Sequence, residues 1–192
     1  MKTIRPLSNQ PLPHNAKKVF EGVLFSVYQW EQEMFDGTKE VFEKIARRDT
    51  VGVIAVTKNK KILISFQEQP SMKPFIGTPG GIIDAGEEPF DAVQRELLEE
   101  TGYKSEKWEL FDSVQPTTKI DWAIFIFIAR DCVKIQEPRL DAGEKMEIKE
   151  LSWDEFLEII NKDEFRDKEL ALKILRMQAV GQIETLKQQL LG

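Results

Sequence analysis

The chain has 192 residues, 41% hydrophobic, 9% aromatic and 31% charged, with a formal net charge of -6 at neutral pH. At roughly 100 to 200 residues per domain this is one compact domain with room for a small appendage, apolar enough to bury a core, which excludes disordered and fibrous classes. The acidic balance argues against a nucleic-acid module, where a basic stripe is expected, and the longest apolar run, Trp122 to Ala129, is far short of the ~20 residues that cross a bilayer.

In chain order, the leader MKTIRPLSNQPLPHN has basic residues but no apolar segment, so it does not read as a secretory signal, and a cytoplasmic protein is expected. His14 in this leader is the only histidine, which leaves a histidine-based triad or zinc site little to build on; it reads as a solvated side chain. Residues 18–33 and 40–48 are rich in Val, Phe, Tyr and Trp around an FDG turn at 35–37, and predict a long hairpin. Buried strands are predicted at 51–57 and 61–66. The Gly- and Pro-rich segment 67–87 reads as loop around a short strand near Ile82 and Ile83. Pro89 then opens a helix that ends before Gly102.

Further strands are predicted near 109–115, 122–129 and 146–151, with the only cysteine, Cys132, packed and inert just beyond the second. Ser152 and Glu155 form a capping box for a helix through about Asn161, and a long amphipathic helix covers about 167–190. The order is that of a mixed α/β domain, 49–192, preceded by a leader and β-hairpin subdomain, 1–48.

Chemistry concentrates on the first helix. In the string RELLEETG, Glu96, Glu99 and Glu100 fall within an arc of about 100°, beside an apolar arc of Phe90, Val93, Leu97 and Leu98. Like charges at such spacings cost a helix ~0.2 to 0.5 kcal/mol per pair. A solvated acidic face tolerates that cost, whereas a hard cation such as Mg²⁺ turns the repulsion into a binding site.

From Gly81, five residues lead to Glu87, seven more to Arg95, then come Glu96, Leu97, Glu99, Glu100, Gly102 and Tyr103. This resembles the Nudix box, Gx5Ex7REUxEExGU with U apolar, at every position; Tyr103, where an aliphatic residue is commoner, is the one mild departure. A chance match is on the order of 10⁻⁸ or less at average amino-acid usage. The resemblance implies the Nudix fold, an α/β/α sandwich around a mixed sheet, and a hydrolase of nucleoside diphosphates linked to another moiety. It implies that Glu96, Glu99, Glu100 and the carbonyl of Gly80 hold metal, Mg²⁺ or alternatively Mn²⁺. Arg95 with Glu87 would tie the loop to the helix, and Gly81 and Gly102 would be structural.

Beyond the box, the FDG hairpin, Pro116 and the late acidic loop LDAGEKMEIKEL resemble the ADP-ribose and nucleotide-sugar pyrophosphatase branch. That likeness implies a homodimer built on the hairpin and a small-molecule nucleotide substrate, with no nucleic-acid or membrane partner. The general base maps best onto Glu144, with Asp141 as competitor. Trp30 falls where an aromatic would stack on adenine, and equally fits core or dimer packing; Pro116 would lie at the substrate. Two departures bear on the substrate: QEQP follows Phe66 where the branch carries an arginine, and Gly77 stands where it often has a glutamate. A nucleoside diphosphate sugar is the expected substrate. A nucleoside triphosphate pyrophosphatase is the alternative, and a non-catalytic nucleotide-sugar-binding module a third reading.

Overall fold

The computed structural model describes residues 1–140 and 142–192. Its centre is the parallel pair β4 (Thr50–Thr57) and β10 (Ile124–Lys134), in register from Ile124 opposite Thr50 to Ala129 opposite Ala55. Both strands are covered on both faces, which is why each reads as a continuous apolar run rather than an alternating one. Outward from β4 come β5 (Ile62–Glu68) and β11 (Lys145–Leu151); outward from β10 comes β7 (Tyr103–Lys104). β6 (Phe75–Gly77) pairs with β5, and β8 (Lys107–Val114) with β10. All pairings but β4–β10 in this seven-stranded sheet are antiparallel, so the sheet is mixed.

Successive β4 side chains feed two cores. Val51, Val53 and Ala55 join Val93 and Leu97 of α1 (Pro89–Thr101) on one face. Ile54 and Val56 join residues of α2 (Trp153–Ile160), α3 (Lys168–Ala179) and α4 (Ile183–Leu191) on the other. The result is the helix–sheet–helix sandwich expected from the sequence. Cys132 is buried at the end of the α1-side core, and burial pushes its thiol up to about 12, consistent with an inert packed cysteine.

A second sheet runs in the order β1 (Lys17–Glu21), β2 (Phe25–Glu33), β3 (Lys39–Arg47), β9 (Ile120–Asp121). The first arm of the expected hairpin is therefore two strands. The chain reverses at Gly22–Leu24, where the Gly22 N–H bonds the Phe25 carbonyl at 2.8 Å; the apolar Val23 and Leu24 mask this turn in the sequence. The leader lies against this sheet: the buried Lys44 ammonium donates to Ser8 Oγ at 2.8 Å and to the Gln10 carbonyl at 2.6 Å, and Arg5 bridges Asp49 and Asp121.

Two further expectations are corrected. The short strand of the Gly/Pro segment is Phe75–Gly77, while Ile82 makes only an isolated bridge to Thr50. The last helix is two, broken where Gly181 adopts a left-handed φ of +74° that an L side chain resists. Among the described residues no helix is long and apolar enough to cross a membrane.

Candidate active site

The site is built on the segment Gly77–Ile82, which runs from β6 along the end of β4 to α1. Val53 N–H bonds the Pro79 carbonyl and Val51 N–H the Gly81 carbonyl, each at 2.9 Å, so the sheet edge fixes the loop backbone. Gly80 takes a φ of +153°, and a Cβ there would collide with the Val51 carbonyl; a Cβ at Gly81 would collide with the Glu96 carboxylate. Gly80 therefore lets the loop lie flat on β4, and Gly81 lets its backbone approach the Glu96 carboxylate of α1.

Helix α1 starts at Pro89 with no side-chain cap and ends in the left-handed Gly102, whose N–H bonds the Leu98 carbonyl at 2.9 Å. Its Arg95 organises the acids. Nε and Nη2 donate to the two oxygens of Glu87, each at 2.9 Å, and Nη2 also reaches the Ile82 carbonyl at 3.1 Å. Nη1 donates to Glu96 at 2.8 Å and to Glu99 at 3.2 Å. Glu87 in turn accepts the Asp84 N–H at 3.0 Å, and the Arg95 guanidinium holds its carboxyl below the usual range. The expected tie between loop and helix is present.

Glu100 is buried and accepts the Gly80 N–H at 2.7 Å. Burial raises its carboxyl well above the usual range, and the charges of Glu96, Glu144 and Asp167 add to the effect. Burial raises Glu96 too; Arg95 opposes that, while Glu99 and Glu144 reinforce it. Glu144, half-buried just before β11 and nearly fifty residues away in sequence, adds its charge to the rise of both Glu96 and Glu100. Asp141 lies outside the described residues.

Among the described residues, no three acids converge on one point as a finished metal-ligand set, because Arg95 holds Glu96 and Glu99 while Gly80 holds Glu100. The donor chemistry nonetheless fits a hard divalent cation: carboxylates whose burial and mutual repulsion raise Glu96 and Glu100, beside a Gly80 carbonyl to which no described group donates.

The remaining expected residues are not brought to this cluster by any recorded contact. Trp30 lies in the second sheet, 5% exposed, its ring 6.0 Å from that of Phe42. Pro116 is half-buried in the loop between β8 and β9, beside Gln115, which donates to the Pro6 carbonyl at 2.9 Å.

One acid that fixes this loop escapes sequence reading. Asp167, just before α3, accepts the Thr78 N–H at 2.6 Å and the Thr78 hydroxyl at 2.8 Å instead of capping its own helix. Its carboxylate approaches Gly77 closely, 3.3 Å from where a Cβ would stand, so the missing side chain at 77 makes its room. In sequence Asp167 is indistinguishable from a routine N-cap, and no spacing links it to the box.

Comparison with known proteins gives three findings. A model of the NUDIX domain matches residues 46–174. The ADP-ribose pyrophosphatase of Bacillus subtilis (strain 168) is 27% identical over 174 residues, covering 89% of this chain and 94% of that protein; the methanol dehydrogenase activator of Bacillus methanolicus is 27% identical over 166 residues, covering 85% and 90%. The crystal structure of an ADP compounds hydrolase superposes with a TM-score of 0.70 at 19% identity, over 92% of this chain and 99% of that one, a likeness of fold.

Proposed function

We propose that this chain, which belongs to the NUDIX domain family, is a Mg²⁺-dependent pyrophosphohydrolase that cleaves the diphosphate link of an ADP-ribose-like nucleoside diphosphate sugar in the cytoplasm. As a hydrolase of phosphoric anhydrides it adds water across a P–O–P bond, giving two phosphate monoesters. The observation that carries the reading is the bracing of the glycine loop against the acids of α1: the buried Glu100 accepts the Gly80 N–H, and Arg95 ties Glu87 and the Ile82 carbonyl to Glu96 and Glu99.

Glu96, Glu99, Glu100 and the Gly80 carbonyl would hold the metal. When bound there, Mg²⁺ supplies charge neutralisation for the diphosphate and acidification of the water, and Mn²⁺ can serve in the same donor set. Arg95 orients Glu96 and Glu99, and the glycine loop keeps water and substrate against the acids. Glu144 takes the proton from the attacking water; it is the half-buried acid of the late loop whose charge adds to the rise of Glu96. Resemblance to the ADP-ribose branch, rather than any contact with the acids, assigns Pro116 and Trp30 to the substrate side of the site.

The N-terminal sheet supports a homodimer. The β1–β3 registers put Phe20, Phe25, Val27, Val41 and Ile45 on one face, and Phe20 and Val41 are more than half exposed. The same face carries Gln29, Glu31, Lys39 and Glu43, so its exposed apolar residues stand beside charged ones, a mixture that interfaces between copies use. We accordingly assign 1–48 to dimerisation and 49–192 to catalysis.

A panel of ADP-ribose, other nucleotide sugars and nucleoside triphosphates, incubated with Mg²⁺ and coupled to a phosphatase, tests the reading. ADP-ribose-like compounds are expected to release most phosphate, and chelator to abolish it. A preference for nucleoside triphosphates favours the housecleaning alternative. No turnover of any compound favours a binding module, the reading to which the activator relative lends weight.

A further inference from the structure

A diphosphate ester is an anion, and the acids that face it here repel it. Arg95, the cation within the cluster, is fully engaged by Glu87, Glu96 and Glu99. Two other arginines frame the Gly77–Ile82 segment, one at each end, and neither has an ion pair with a described carboxylate.

Arg47 closes β3. Its guanidinium centre lies 4.7 Å from the Trp122 ring centroid and 6.0 Å from that of Phe25, a slot that fixes its plane. Its Nε is buried and has no hydrogen-bond partner among the described residues. A buried donor without an acceptor is costly unless a ligand completes it. Trp122 in turn donates to Thr50 at 3.0 Å, and Thr50 bridges Ile82, which anchors this arginine to the exit of the loop.

Arg166 anchors to the entrance. Its N–H bonds the Ile76 carbonyl at 2.8 Å, its guanidinium lies 4.7 Å from the centroid of Phe75, and the next residue, Asp167, holds Thr78. Burial and then the charge of Arg166 lower the Arg47 guanidinium. Aromatic stacking leaves the planar donor edge of a guanidinium free, the geometry that takes phosphate oxygens two at a time.

We propose that Arg47 and Arg166 form a divided anion seat for the substrate's diphosphate, gripping the phosphate oxygens that face away from the carboxylates. The role rests on the reading of the chain as a hydrolase of nucleoside diphosphate derivatives, and it makes these arginines binding rather than acid–base groups.

The test uses the full chain in Mg²⁺ buffer, with ADP binding measured by calorimetry alongside ADP-ribose turnover. Arg47→Met and Arg166→Met are each expected to weaken ADP binding and raise KM about tenfold or more, with kcat within about threefold, and to flatten the salt dependence of KM. Arg47→Lys is expected to recover only part of the loss, since an ammonium lacks the planar fork. Melting curves identify any variant that fails to fold; Arg166 is exposed, so its variant carries the test if Arg47→Met does not fold. Wild-type ADP affinity in Arg166→Met overturns the seat, as does a wild-type chain that binds no ADP. ADP binding lost in the variants of a wild type that leaves ADP-ribose intact supports the seat while overturning the proposed reaction.

Discussion

Glu100 answers to two opposed requirements, burial among acids and readiness to carry charge. Its carboxyl is raised by burial, so the folded chain holds the proton more tightly than the unfolded chain, whose value is near 4.5. The associated stability is fully present below that value and is lost as pH rises through the folded one. In chelator, wild type is therefore expected to melt lower at about pH 8 than at about pH 5, relative to Glu100→Gln in the same pair of buffers. Adding Mg²⁺ at the higher pH is expected to narrow the gap by mass action. Differential scanning fluorimetry reads both effects; parallel melting of the two proteins across the range contradicts them. With Mg²⁺ present, Glu100→Gln is expected to lower kcat by at least ~100-fold. For the base, Glu144→Gln is expected to cut kcat far more than KM, because the lost interaction exists only as the water is deprotonated. Asp141→Asn is expected to stay within about tenfold of wild type, as a screened charge contributes field and not proton transfer. A crippled Asp141→Asn beside an active Glu144→Gln would move the base by three residues. At this scale the box was legible because its residues share one helix and the loop before it. Asp167, Arg47 and Arg166 were not, because only tertiary pairing brings them to the loop, and they read locally as a cap, a strand-end cation and a loop cation.

Among the elements, α2 illustrates what local chemistry decides by itself. Ser152 accepts the Glu155 N–H at 3.3 Å while the Glu155 carboxylate accepts the Ser152 N–H at 2.7 Å, the reciprocal box foreseen from the sequence. Ser152→Ala is expected to cost about 1 kcal/mol of stability by denaturant titration with kcat unchanged, since α2 lies on the face of the sheet away from α1. The Gly77–Ile82 loop behaves oppositely. Gly80→Ala would drive a methyl into the Val51 carbonyl and is expected to remove activity, and its loss of thermal stability should exceed that of Ser152→Ala. Two elements misread from sequence have different causes: apolar Val23 and Leu24 hide the β1–β2 turn, and at the α3–α4 break the amphipathic pattern outweighs the single breaker Gly181.

At the scale of the whole molecule, the exposed apolar residues of the N-terminal sheet set the expected assembly. Light scattering at micromolar concentration is expected to give a dimer, and Val41→Glu, at a position 69% exposed, to shift it toward monomer without unfolding the chain. A fully active wild-type monomer would contradict the dimer. The central strand pair has a consequence in time as well as in space. β4 and β10 lie side by side, yet the whole box, α1, β7 and β8 are threaded between them. A growing chain can form the β4–β5 hairpin and the first turns of α1 early, but the sheet face that α1 covers is half missing until Ile124–Ala129 has been made. On the ribosome, the support for the box helix is therefore complete only after β10 has been made. A nascent chain halted before β10 would carry every box residue and still present its acids on an unsupported helix, solvated and inactive.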